Sequence, residues 1–93
     1  MSLKVTSEIS ILVPLYNEEE VFNSLILRLK NVISETSFVC SVYLINDGSY
    51  DKTYNLINEI CAIDNRFIGI HLSKNFGHQY AVAAGLSVCD GTK

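Results

Sequence analysis

Three short apolar segments separated by two longer amphipathic segments dominate the pattern of hydrophobic and polar positions. The apolar segments cover residues 9–15, 38–45 and 67–72, and a polar loop follows each of them. Short runs of this kind, rich in β-branched and aromatic residues, predict strands that are largely buried. Pro14 lies late in the first run, so we expect the first strand to end near it.

The amphipathic segments between these runs predict helices. Apolar residues recur at helical spacing from residue 18 to 35 and again from residue 51 to 63. Asn17 and Glu20 have the spacing of a capping box, which predicts that the first helix begins at about Glu18. An Ala-rich segment predicts a third helix over residues 80–88.

The resulting order of elements is β-α-β-α-β-α. With right-handed crossovers this order predicts an α/β fold of three layers, α-β-α, around a short parallel sheet. No internal repeat or linker interrupts the chain, so residues 1–93 are expected to form a single domain. The chain has 93 residues, of which 48% are apolar, and this composition favours a packed core over disorder. A domain of this size buries little surface, so we expect support from a partner or from further sequence.

Charge, cysteine spacing and the lengths of the apolar runs argue against nucleic-acid binding, a cysteine metal site and a membrane span. The net charge is −3 and the seven basic residues are scattered, which gives no support to nucleic-acid binding. Cys40, Cys61 and Cys89 have no metal-ligand spacing and are expected to be reduced, buried thiols. Neither a signal peptide nor an apolar run of membrane-spanning length is present, so we expect a cytoplasmic protein.

Polar loops follow the three predicted strands, at residues 15–18, 46–51 and 73–78. In a parallel sheet these loops share one rim, where ligands of open α/β folds bind. The carboxylate of Asp47 can accept hydrogen bonds from a nucleobase or a ribose, and Gly48 permits close approach. Lys74 offers positive charge for a diphosphate. The competing interpretations are that Asp47 only forms a turn and that Glu18 only favours a helix start.

Three segments in this order resemble three successive blocks of the family-2 glycosyltransferases. They are Val-Pro-Leu-Tyr-Asn-Glu at 13–18, Asn-Asp-Gly-Ser-Tyr-Asp-Lys-Thr at 46–53 and Leu-Ser-Lys-Asn-Phe-Gly-His-Gln at 72–79. The third block is most similar to the bacterial branch related to dolichol-phosphate mannose synthase, whose members move sugars from nucleotide donors onto polyprenyl phosphate. The resemblance covers nearly the whole chain and implies the N-terminal half of a GT-A, Rossmann-like nucleotide-binding fold.

The same resemblance implies a site for a nucleotide-diphosphate sugar, either a UDP-sugar or a GDP-sugar. The residues that it assigns to nucleotide binding are Pro14, Tyr16 and Glu18 around the nucleoside, Asp47 on the base, and Lys74, Gly77 and His78 on the nucleotide side of the cleft. Two positions depart from the family pattern. Asn46 stands where many relatives carry an aspartate, and Tyr50 replaces a small threonine, which either changes only the surface or narrows the rim.

The resemblance also implies Mg or Mn for the full-length family, bound by an Asp-x-Asp motif at the end of a fourth strand. The chain stops at Lys93, before that strand, and no second carboxylate follows Asp90 at motif spacing. The catalytic base and the acceptor region would also lie further on. We therefore expect no catalytic residue and no metal ligand in this chain, and negligible sugar transfer by the isolated 93 residues.

Two alternative functions belong to other classes. A dinucleotide-dependent oxidoreductase would need a Gly-rich fingerprint after the first strand, where this chain has Pro-Leu-Tyr-Asn-Glu at 14–18. A non-catalytic α/β module for oligomerisation or nucleotide binding is the second alternative. The open edge of the first strand predicts a homo-oligomer. Membrane association is expected only through sequence beyond residue 93, which would place a full-length form at the cytoplasmic face.

Overall fold

A parallel sheet with two helices forms the part of the chain, residues 8–73, that the computed structural model describes. The elements are β1 (Glu8–Leu15), α1 (Phe22–Ser34), β2 (Val39–Asn46), α2 (Thr53–Ile63) and β3 (Phe67–His71). The sheet order is β1-β2-β3, and both pairings are parallel. This is the predicted α/β alternation of the N-terminal half of a GT-A fold. The helix expected over residues 80–88 lies outside the described residues.

The sequence predicted the strands better than the first helix. Each strand boundary agrees with the prediction to within about one residue, because a buried strand has a distinctive local composition. In contrast, α1 begins at Phe22, and no side chain caps it. Asn17 has a φ of 53°, in the left-handed region, and its Oδ1 accepts a hydrogen bond from the Tyr50 amide. The predicted capping box is therefore wrong, since Asn17 serves another loop.

Both described helices pack on the same face of the sheet. A single apolar cluster joins the helices to the strands, and its buried members are Leu15, Phe22, Ile26, Ile33, Cys40, Val42, Leu44, Ile57, Ile60 and Phe67. On the opposite face, Tyr43 and Ile45 are buried among partly buried residues of β1 and β3 and Leu72. Since β2 is buried on both faces, its sequence is a continuous apolar run.

Helix α2 approaches β3 closely at Gly69. A Cβ atom at this position would lie 2.8 Å from Cγ2 of Ile57. The absence of a side chain at Gly69 therefore allows α2 to lie against β3. As a result, Tyr54 and Asn58 of α2 contact His71 at the end of β3. Neither helix within residues 8–73 is long and apolar enough to cross a bilayer.

Candidate functional site

The loops that follow β1 and β2 lie against each other at the carboxyl ends of their strands. The Asp47 amide donates to the carbonyl oxygen of Leu15 at 2.8 Å. The Asn17 amide donates to Ser49 Oγ at 2.9 Å, and the Tyr50 amide donates to Asn17 Oδ1 at 3.0 Å. These bonds bring the loop after Pro14 next to the turn that begins at Asp47.

Thr53 joins the two loops from inside. Its side chain is fully buried, and its Oγ1 accepts a hydrogen bond from the Glu18 amide at 2.9 Å. The hydroxyl donates in turn to the carboxylate of Asp51. Asp51 also accepts from the Thr53 amide at 2.8 Å and from the Glu19 amide at 3.3 Å. We call this set of contacts between residues 17–19 and 49–53 the loop clasp.

Glu19 contributes to the loop clasp through its side chain. Its Oε1 accepts a hydrogen bond from the Lys52 amide at 2.9 Å, directly before α2. One interpretation of the sequence was that Glu18 only favours a helix start, but the first turn of α1 contains no acidic residue. The carboxylates of Glu19 and Asp51 instead lie at the N-terminus of α2, where free amides and the helix dipole favour negative charge.

The carboxylate of Asp51 is held in its charged form. Burial is the largest single influence and raises the pKa, but hydrogen bonds from the Thr53 side chain, the Thr53 amide and the Glu19 amide together outweigh it. The pKa of Asp51 therefore lies below its usual value. The loop clasp consequently retains an ionised acceptor throughout the neutral range of pH.

Asp47 begins a tight turn whose shape depends on Asn46. Gly48 has a φ of 73°, which glycine adopts without steric cost. The Ser49 amide donates to Asn46 Oδ1 at 2.9 Å and closes the turn. Asp47 is fully buried in this conformation. A nucleobase can reach its carboxylate only after the atoms that cover it move.

Two aromatic rings border the same loops. The rings of Tyr16 and Tyr50 pack edge to face, with centroids 6.1 Å apart and an interplanar angle of 79°. Tyr50 is 83% exposed, so much of its ring remains accessible to a ligand. The substitution at position 50 therefore places an aromatic ring on Tyr16 at the rim, where it can stack on a base.

Two cavities lie beside these loops. Pro14 and Glu18 line a cavity of about 540 Å³ together with Arg28 of α1. A second cavity, of about 410 Å³, is lined by the carboxylates of residues 18–20 and Asp51. Neither lining includes Tyr16 or Asp47. The predicted residues therefore share adjoining loops, whereas the described cavities do not unite them.

The acidic cavity does not favour a diphosphate, since four carboxylates repel it. Mg and Mn prefer converging oxygen ligands. No group of three or more His, Cys, Asp or Glu side chains within residues 8–73 is placed to hold a metal. Within the described residues there is therefore no such cluster for the cation that the resemblance to family-2 glycosyltransferases implies. Lys74, Gly77 and His78 lie outside the described residues, and their roles stay predictions.

A second polar network connects β2 with β3 and α2. Asn46 Nδ2 lies 3.0 Å from Nδ1 of His71, and Nε2 of His71 lies 3.0 Å from Asn58 Oδ1. The Tyr54 ring packs on the imidazole at 4.2 Å. Burial lowers the pKa of His71. The sequence patterns did not predict these partners of His71. The parallel register, which pairs Asn46 with His71, is the signal that connects them.

Comparison with known proteins identifies related sequences. The model of the family described as glycosyl transferase family 2 matches residues 10–92. An uncharacterized glycosyltransferase of Bacillus subtilis, YkcC, is 42% identical over 82 residues, which are 88% of this chain and 25% of that protein. The undecaprenyl-phosphate 4-deoxy-4-formamido-L-arabinose transferase of Aeromonas hydrophila is 32% identical over 84 residues, covering 89% of this chain and 26% of that protein.

A third relative is a prophage bactoprenol glucosyl transferase homolog of Escherichia coli. It is 32% identical over 84 residues, which cover 90% of this chain and 28% of that protein. The chain thus spans about a quarter of the length of these relatives.

Proposed function

The chain belongs to glycosyl transferase family 2, and from this premise we propose that it forms the nucleotide side of a site for a nucleotide-diphosphate sugar. The full-length protein would transfer the sugar from this donor to an acceptor. The chain covers about a quarter of the length of these relatives. The proposal for residues 1–93 is therefore donor binding without sugar transfer.

The contact between the Asp47 turn and the loop after β1 carries this proposal. The hydrogen bond from the Asp47 amide to Leu15 joins the carboxyl ends of two adjacent parallel strands. Open α/β sheets bind ligands at this edge, because loop amides and helix N-termini converge there. The arrangement supports a ligand site bordered by Tyr16, Asp47 and Tyr50.

Each side chain at this edge suits one part of a nucleoside. A carboxylate such as that of Asp47 can accept paired hydrogen bonds from the N–H groups of a base. The rings of Tyr16 and Tyr50 offer aromatic surface for stacking. Pro14 and Glu18 would line the nucleoside pocket. Lys74, Gly77 and His78 follow β3 in sequence, and we assign them to the diphosphate side.

The names of two relatives support a proposal for the acceptor. One relative is named for undecaprenyl phosphate and another for bactoprenol. We therefore propose a polyprenyl phosphate acceptor for the full-length protein. Because such a lipid is held by its apolar chain, the transfer would take place at a membrane surface, which we propose is its cytoplasmic face. We propose that a divalent cation assists departure of the nucleotide; within residues 8–73 no group of three or more His, Cys, Asp or Glu side chains is placed to hold it.

Calorimetric titration of the 93-residue chain with UDP, GDP and NADH tests the proposal. We expect saturable binding of UDP or GDP that Asp47→Ala abolishes. Glu59→Ala is the matched control, because it removes an exposed carboxylate of α2, and it should bind normally. Preference for NADH, absence of binding, or equal binding by Asp47→Ala would each contradict the proposal. Since Asp47 is buried, circular dichroism must show that the variant folds.

A second copy of the chain is the protein partner that we propose. Within residues 8–73, β1 pairs with β2 alone and lies at the edge of the sheet. Ile9 on this strand is 38% exposed. Exposed apolar edges recruit other strands. Light scattering should show a dimer or larger assembly that Ile9→Lys weakens, and a monodisperse monomer at high concentration would refute this association.

A further inference from the structure

His71 lies between two asparagine side chains at the end of β3. Its Nδ1 is 3.0 Å from Asn46 Nδ2 on β2, and its Nε2 is 3.0 Å from Asn58 Oδ1 on α2. Both ring nitrogens are therefore engaged by neutral amides. The imidazole is half-buried, and the Tyr54 ring packs on it at 4.2 Å.

The surrounding bonds determine which nitrogen of His71 carries the proton. Asn46 Oδ1 accepts the Ser49 amide at 2.9 Å, so the NH₂ group of Asn46 must face His71. Nδ1 of His71 then has to be an acceptor, which places the proton on Nε2, where it donates to Asn58 Oδ1. The hydrogen-bond network thus requires the neutral Nε2–H tautomer.

Protonation of His71 is incompatible with this network. An imidazolium carries N–H groups on both nitrogens, so Nδ1–H would face the NH₂ group of Asn46. Rotation of the Asn46 amide would relieve this contact, but it would remove the oxygen that accepts the Ser49 amide. Protonation therefore costs a hydrogen bond either at His71 or in the turn.

We propose that His71 is a positioning residue for the turn that begins at Asp47. While neutral, it orients the Asn46 amide, which holds the Ser49 amide and keeps Asp47 and Gly48 in their turn. Protonation releases the Asn46 amide and loosens the turn. The consequence for ligands rests on the proposed function: nucleotide binding at Asp47 weakens when His71 becomes charged.

Among the described groups that surround His71, its own imidazole is the one that titrates near neutral pH. From β2 it faces the uncharged Asn46, and from α2 it faces Asn58 and Tyr54. The thiol of Cys61 lies on the same side, near Gly69, and burial raises the pKa of that thiol. Burial lowers the pKa of His71, and within residues 8–73 no carboxylate or cation contributes to this shift.

NMR titration of the 93-residue chain tests the positioning role without any nucleotide. The chain contains two histidines, and the ring signal that disappears in His71→Gln identifies His71. We expect the Ser49 amide shift to follow the His71 titration, with a midpoint below the ordinary histidine value. In His71→Gln the Ser49 signal should stay constant over this range, because the new side chain accepts and donates without titrating. A Ser49 signal independent of the imidazole in the unsubstituted chain would overturn the proposal.

Asn46→Asp provides a second variant that retains the acceptor for Ser49. A carboxylate beside His71 favours the imidazolium, so the pKa of His71 should rise. The same carboxylate accepts from both Nδ1–H and the Ser49 amide, so the turn should stay closed in both charge states. If the chemical shift of the Ser49 amide still changes by the original amount as His71 titrates, Asn46 does not couple the imidazole to the turn, and the proposal is contradicted.

Titration with UDP and GDP on either side of the His71 midpoint tests the consequence for binding. Loss of one hydrogen bond predicts a decrease in affinity of about five- to tenfold below the midpoint, and His71→Gln should not show it. Equal affinity in both charge states would overturn the role of His71 in binding. If Ser49 follows His71 but neither nucleotide binds at any pH, the proposed function fails while the positioning role stands.

Discussion

The carboxyl end of β2 is joined to its two neighbouring strands in two chemically different ways. On the β1 side, the loop clasp uses the carboxylates of Glu19 and Asp51 and the hydroxyl of Thr53 to hold backbone amides. On the β3 side, a chain of neutral side chains connects Asn46, His71 and Asn58. We call this second set the histidine junction.

The two junctions differ in how they respond to pH. The hydrogen bonds to Asp51 keep its pKa below the usual value, so this carboxylate of the loop clasp does not titrate near neutrality. The histidine junction contains an imidazole, which titrates closest to neutral pH among side chains. Asn46 belongs to the junction through Nδ2 and holds the Ser49 amide through Oδ1. The Asp47 turn therefore has one pH-insensitive support and one pH-sensitive support.

Gly69→Ala should have the largest effect, and it acts on the side of the histidine junction. The new Cβ would meet Ile57 Cγ2 at 2.8 Å and would lie 3.6 Å from His71 Nε2. Overpacking of this kind destabilises a protein by about 1–3 kcal/mol. Urea denaturation measures the free energy of unfolding. Combination with Ile57→Ala should cost less than the sum of the two single changes, and strict additivity would refute the clash.

Thr53→Val should weaken the loop clasp by nearly as much. Valine keeps the shape of the buried side chain but leaves the Glu18 amide without its acceptor and Asp51 without the hydroxyl. An unsatisfied buried donor costs about 1–2 kcal/mol. Thr53→Ser is the matched control, because it retains the hydroxyl. If valine lowers the free energy of unfolding no more than serine does, the hydroxyl is not the group through which Thr53 stabilises the loop clasp.

Asp51→Asn should remove a contribution to the free energy of unfolding that depends on the ionisation of Asp51. Since the folded state lowers the pKa of Asp51, its contribution is present above the unfolded value of 3.8 and disappears as pH falls through the lower folded value. We expect a loss of about 1 kcal/mol at neutral pH. The difference in unfolding free energy between the two proteins should decrease on acidification below pH 3.8. A difference that is independent of pH would exclude this explanation.

Arg66→Ala should have the smallest effect, because Arg66 belongs to neither junction. Its NH2 group lies 2.7 Å from Asp64, and its side chain is 41% exposed. Exposed ion pairs contribute less than about 1 kcal/mol. A hydrogen bond from Arg66 is the main cause that lowers the pKa of Asp64 to about 2, so the variant should raise that pKa in an NMR titration. An unchanged Asp64 pKa would show that the pair does not persist in solution.

The strands and the end of α2 could be predicted from sequence because their signals are local. The burial of residues 42–45 on both faces of the sheet appears directly as a continuous apolar run. The start of α1 could not be predicted in this way. Asn17 and Glu20 have the spacing of a cap, but the side chain of Asn17 bonds to Tyr50, 33 residues away. A local pattern cannot exclude a partner that the chain brings close only on folding.

The features of the candidate site likewise separate into those that the sequence predicts and those that depend on the tertiary structure. The sequence by itself determined the order of strands and helices, the polar loops at the strand ends, and the three blocks that resemble family-2 glycosyltransferases. Only the tertiary structure decided that Asp47 is buried, that the Glu19 carboxylate accepts from the Lys52 amide before α2, and that His71 contacts Asn46. The physical reason is that apolar periodicity depends on neighbouring residues. The partner of a polar side chain instead depends on strand register and on the packing of α2 against β3.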